Sequence, residues 1–141
     1  MHVALLIPAV FLLLEAANVL TLYFAPGHKR ANGVGVFAAW DRSKDDPDLH
    51  RFVSYLVYWV AGTKVIFIAL LTTILLLGDA RLQRVALLAS VGAIATFYWK
   101  LFPLIRRMDR DGQINPQGYS TVLGVMIAAF MLALLASAAL L

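Results

Sequence analysis

The sequence predicts an all-α polytopic membrane protein: an antiparallel four-helix transmembrane bundle with a short cytoplasmic interfacial segment between helices 1 and 2. Three observations predict it. First, of 141 residues 62% are hydrophobic and only 14% charged, and the mean hydropathy is +0.81. Soluble domains run at about 45–50% apolar and about 25% charged, and a chain this short exposes too much of its surface to hide such an excess from water. Second, the apolar residues gather into four long runs. Third, the basic residues crowd into alternate loops. The composition excludes an ordinary globular enzyme, a disordered tail and a disulfide-stapled domain, since the chain also holds no cysteine. The length fits a single transmembrane domain over residues 1–141.

Each run can be justified in turn. Residues 3–24 are broken only by Glu15 and Asn18. Residues 52–77 carry one charge, Lys64, and residues 85–105 carry Lys100 near their end. Residues 119–141 have no charged side chain. A run of about 20 residues, at ~1.5 Å rise per residue, crosses a ~30 Å hydrocarbon layer. The first run is expected to be a retained span rather than a cleaved signal peptide, because it lacks a basic start and holds Glu15 within it.

Loop charge sets the orientation. Lys29, Arg30, Arg42, Lys44 and Arg51 follow the first span, and Arg106, Arg107 and Arg110 follow the third, whereas the second loop has only Arg81 and Arg84. By the positive-inside rule the two basic loops face the cytoplasm and both ends of the chain face outward, which points to the bacterial cytoplasmic membrane. The pI near 9.7 then records topology. Nucleic acid is not an expected partner, because the same loops carry Asp41, Asp45, Asp46, Asp48, Asp109 and Asp111.

Punctuation agrees with these limits. Asp46-Pro47 and Asn115-Pro116 each place a capping side chain before proline at a first helical position. Ala25-Pro26-Gly27 closes the first span, Gly78-Asp79 turns between the second and third, and Pro103 bends or ends the third. Tyr23, Phe24, Tyr55, Tyr58, Trp59, Tyr98, Trp99, Phe102 and Tyr119 form a belt at the cytoplasmic ends. The stretch from Gly33 to Trp40 is too short to span and reads as an interfacial segment anchored by Phe37 and Trp40. A phosphate cradle is disfavoured there, because no lysine followed by serine or threonine accompanies the glycines.

The positions that invite a functional reading are the charges at membrane depth. An ionisable residue at a helix centre costs roughly 2.5–3.5 kcal/mol on insertion scales, so it seeks a partner or water. Glu15 and Lys64 each lie 12 residues into antiparallel spans, counted from opposite sides, so they are expected to meet as an ion pair. Two readings stand: a clip that fixes helix pairing, or a proton- or cation-handling carboxylate tuned by the lysine. Asn18 and Thr21 follow Glu15 at spacings of three and extend the polar stripe. Lys100, Arg106, Arg107 and Arg110 form a candidate contact for anionic lipid, against the simpler reading of positive-inside anchors.

Other constellations are weak. The sequence from Asp109 to Asn115 resembles the middle of an EF-hand loop, but Arg107 and Gly118 occupy its first and last ligand positions, so an Asp-Gly turn is the better reading. Asp45, Asp46, Asp48 and His50 could be drawn as a metal site, though helix capping accounts for Asp46 and Asp48. His2, His28 and His50 all lie outside the apolar runs, which argues against a bound haem. No catalytic triad, zinc motif, metal site or cofactor is expected. Small residues recur at spacings of four in the third span (Ala86, Ser90; Ala89, Ala93; Gly92, Thr96) and the fourth (Gly124, Ala128; Ala129, Ala133, Ser137), the usual device for helix association in lipid. The expected partners are therefore the bilayer and other transmembrane helices. The expected role is a non-enzymatic accessory or assembly subunit. The alternative is a small homo-oligomeric transporter or channel using Glu15, Asn18 and Lys64, and a lipid-modifying enzyme using the acidic loop residues ranks third.

Overall fold

The structure, a computed structural model, describes residues 3–30 and 32–141, so His2 lies outside the described residues. Within them run α1 (Leu6–Phe24), α2 (Ala38–Ser43), α3 (Pro47–Leu77), α4 (Ala80–Ala95), α5 (Leu101–Arg110) and α6 (Tyr119–Leu140), with 3-10 turns at Val3–Leu5, Val34–Val36 and Thr96–Tyr98. Four segments are long and apolar enough to cross a membrane: α1, α3, the stretch Ala80–Arg110 and α6.

Local chemistry explains the boundaries. Pro47 starts α3, and the Asp46 carboxylate accepts the N–H groups of Asp48 and Leu49 at 3.0 and 3.2 Å, satisfying donors that a helix start leaves open. Asp79 does the same for α4 through Leu82 N–H at 2.8 Å. The third span is interrupted between Thr96 and Lys100, upstream of Pro103, which sits in the first turn of α5. Its ring would strike the Trp99 carbonyl and it has no N–H for that acceptor, so an unbroken helix cannot pass.

The start of α6 corrects the sequence reading. Asn115-Pro116 does not open the helix; its peptide bond is cis, and α6 begins at Tyr119 after Gly118 in a left-handed conformation (φ 86°). The capping acceptor is Asp109 of α5, reaching Gly118 N–H at 3.0 Å and Ser120 N–H at 2.9 Å.

The most extensive helix contacts are α1 with α3 and α4 with α6, and α1 also touches α6. One core draws on all four long segments: Phe11 and Leu12, Leu71 and Leu75, Leu87 and Val91, Leu134 and Ala138. Two further clusters lie toward the basic loops, around Leu22, Trp40, Val57 and Ala61, and around Val36, Ile105, Ile114 and Leu123. Large apolar side chains cover the outside, Leu13 at 71% exposure and Leu132 at 67% among them. Such a surface is foreign to a soluble monomer, and in lipid it carries no penalty.

The segment between α1 and α3 is folded onto the rest of the chain. Phe37 bridges Ile114, with Ala38 N–H on Gln113 O and Asn115 N–H on Val36 O, both at 2.9 Å. Trp40 is buried against Leu22, Val57 and Ala61, and Phe37 packs edge-on to the Tyr119 ring. Apolar side chains that leave the bilayer regain the hydrophobic driving force, about 1.5–3 kcal/mol per fully buried residue, so this loop packs onto its neighbours. Its glycines allow that approach: a Cβ on Gly35 would overlap the Gly27 carbonyl oxygen. Gly35→Ala is expected to cost about 1–3 kcal/mol, the range for overpacking against unyielding atoms. Gly92→Ala, where a Cβ meets nothing within 4 Å, is expected to leave the thermal midpoint in detergent level or slightly raised. Equal midpoints for both variants would refute this account of the loop.

Candidate functional site

Glu15 and Lys64 meet. The Lys64 ammonium lies 2.7 Å from Glu15 Oε2, and it also donates to Asn18 Oδ1 at 2.6 Å. Asn18 is buried and sits one turn along α1 from Glu15, so these two members of the stripe read from the sequence converge on one lysine of α3. These are charge-assisted bonds, roughly twice as strong as neutral ones. The pair's side chains keep about a quarter of their surface exposed, 26% for Lys64 and 25% for Glu15.

The network then leaves the membrane helices. Asn18 Nδ2 donates to the Asn32 carbonyl at 3.3 Å, and the Tyr119 hydroxyl donates to Asn32 Oδ1 at 2.5 Å. Asn32 holds a left-handed φ of 56°, a region that asparagine tolerates better than most residues. One connected set of polar groups therefore ties α1, α3, the first loop and the start of α6. Asn32 and Tyr119 were not legible as members. An Asn-Gly turn and an interfacial tyrosine are common features, and no spacing rule links positions 18, 32 and 119.

The threonines beside this set serve their own helices. Thr21 donates to Ala17 O, Thr63 to Val60 O and Thr73 to Ala69 O, so they need no partner across the bundle.

The acidic loop residues have separate employments. Asp46 caps α3, Asp48 pairs with Arg51, and the Ser43 hydroxyl, donating to Trp40 O at 2.7 Å, accepts from His50 Nδ1 at 2.8 Å. A hydrogen bond from Lys44, at 2.7 Å, and its charge hold the Asp41 carboxyl below its ordinary range. Both partners stand in solvent, where such pairs contribute little. Asp109, read from the sequence as part of an Asp-Gly turn, caps α6 and takes the Ser120 hydroxyl at 2.6 Å. Among the described residues no group of three or more histidine or carboxylate side chains is placed to hold a metal.

Three of the four basic candidates share α5. Lys100 is exposed, with its ammonium 5.5 Å from the Trp99 ring centroid. Arg106, Arg107 and Arg110 stand exposed on the second half of α5, and Arg110 Nε donates to Arg106 O at 3.4 Å. Arg106 borders a groove between α5 and α6. A second groove, beside Arg84 and Ala138, lies near the opposite end of α6.

Comparison of the chain with protein-family profiles, with curated proteins and with solved structures gives no match.

Proposed function

We propose that the chain is a small integral membrane protein of the cytoplasmic membrane, an antiparallel bundle with its basic loops inside and both ends outside. It works as a non-enzymatic accessory or assembly subunit through its helix faces. The observation that carries this reading is on α4 and the turn that follows it. Ala89, Gly92 and Ala93 of α4 and Thr96 at the start of the 3-10 turn are all exposed and share one stripe, while Ala86 and Ser90 face inward. Small side chains let helix backbones approach closely, which is the main source of association where lipid removes the hydrophobic drive. The Glu15–Lys64 network supports the same reading as an internal clip, being charge-neutral and tied to a folded loop.

The chain holds no cysteine, so single cysteines report cleanly. Gly92→Cys in membranes is expected to give a cross-linked species heavier than the monomer. Val122→Cys, exposed on α6, is expected to give none. Equal cross-linking at both positions, or none at either, would overturn the assembly role.

A homo-oligomeric transporter is the second reading, favoured by the quarter exposure of Glu15 and Lys64. Solute flux in liposomes that disappears with Glu15→Gln would establish it over the first.

A further inference from the structure

The groove between α5 and α6 has two walls of matched polarity. Tyr98, Phe102 and Arg106 recur every four residues along the wall formed by the 3-10 turn and α5, and Thr121, Val125 and Ala128 line the α6 wall. The Phe102 ring lies directly over Gly124, and the Tyr98 hydroxyl is spent on Gly124 O at 2.5 Å, which closes the groove floor. Both walls become polar at the same end, next to the basic third loop. There the Arg106 guanidinium has no carboxylate partner, and the Thr121 hydroxyl no hydrogen-bond partner, among the described residues. The carboxylate one turn from Arg106, that of Asp109, is committed to Gly118 and Ser120. From Thr121 to Ala128 the groove runs about 10 Å toward the membrane interior, at the rise of an α-helix. Its volume is about 340 Å³, within the roughly 300–1,000 Å³ of ligand sites, which are likewise apolar with a few placed polar groups.

We propose that this groove seats an anionic phospholipid, with its phosphate on Arg106 and Thr121 and one acyl chain along Val125 and Ala128. The argument is charge complementarity. An unpaired planar guanidinium offers a phosphate two parallel donors, and the apolar continuation points where an acyl chain from the same leaflet must go. The site narrows the four basic residues of the sequence to one, since Lys100 lies over Trp99, Arg107 does not line the groove, and Arg110, whose Nε donates to Arg106 O, does not line it either. It does not depend on the α4 face or on the Glu15–Lys64 pair.

The test is retention of lipid by the delipidated protein in detergent, read by native mass spectrometry. The probes are phosphatidylglycerol and phosphatidylcholine with identical chains, and free glycerol phosphate as competitor. The intact chain is expected to hold one phosphatidylglycerol in preference to phosphatidylcholine, undisplaced by glycerol phosphate. Arg106→Gln is expected to cut retention roughly fivefold, the weight of one basic side chain on anionic lipid, while Arg107→Gln leaves it unchanged. Ala128→Leu, which fills the apolar part and keeps the charge, is expected to reduce retention as well. Equal losses from the two arginine variants would show diffuse surface charge and overturn the site. So would equal binding of both lipids, displacement by glycerol phosphate, or full retention by Ala128→Leu. The arginine comparison decides alone if Ala128→Leu fails to fold, because both arginines are exposed on one helix.

Discussion

Lys64→Met is expected to destabilise the protein by about 3–5 kcal/mol, because it strands a carboxylate at membrane depth. In the intact chain the Glu15 carboxylate has the ammonium at 2.7 Å, and that ammonium also holds Asn18. Removing Lys64 leaves the Glu15 carboxylate without its counter-charge, and it takes one bond from Asn18. Glu15→Gln is expected to cost less, since the lysine keeps Asn18 and gains a neutral amide oxygen. The double variant Glu15→Gln/Lys64→Met is expected to be more stable than Lys64→Met alone. A matched pair of charges is costly to break and cheap to replace, so the two effects cannot add. Unfolding in detergent, followed by far-UV circular dichroism, checks all three. A double variant at or below the stability of Lys64→Met would reject the clip.

Asp109→Ala is expected to have the second largest effect, about 3 kcal/mol or more, since bonds to a charged group are worth about 1.5–3 kcal/mol each. Asp109 is buried at 5% exposure and accepts from Gly118 N–H, Ser120 N–H and the Ser120 hydroxyl. Its loss uncaps α6 and leaves a buried hydroxyl without an acceptor. Ser120→Ala removes one of the three bonds and keeps the cap, so about 1 kcal/mol is expected, as for a single hydrogen bond. Limited proteolysis should locate the damage: Asp109→Ala is expected to open the third loop to cleavage before the bundle unfolds. If Asp109→Ala and Ser120→Ala proved equally mild, the carboxylate would not be what positions α6.

The membrane-depth pair was legible because depth follows from counting. Two residues 12 positions into spans taken as opposite in direction are expected at similar height, and a single connection lets the first two long helices be neighbours. The rest of the network was not legible, because Asn32 and Tyr119 join it only through the fold of the first loop. The packing of the segment from Gly33 to Trp40 was out of reach for a related reason. The aromatic anchors were recognised, but which surface they would cover was not, and the partner proved to be the protein itself, with Trp40 against Leu22, Val57 and Ala61. The reading of Asn115-Pro116 as a helix start failed because a cap need not come from the adjacent residue. Asp109 reaches α6 from the preceding helix.

By itself the sequence determined the apolar surroundings, the four spans, the helix start at Pro47, and the pairing of Glu15 with Lys64. Each of these follows from short-range rules: hydropathy over about 20 residues, side-chain caps within three residues, and depth counted along a helix. Only the tertiary structure decided that the first and third loops pair with each other, that Asp109 starts α6, and which basic residue borders the groove between α5 and α6. These depend on contacts between residues far apart in the chain, where many arrangements satisfy the same local preferences. Packing volume, charge pairing and hydrogen-bond satisfaction choose among those arrangements only when the whole bundle is assembled.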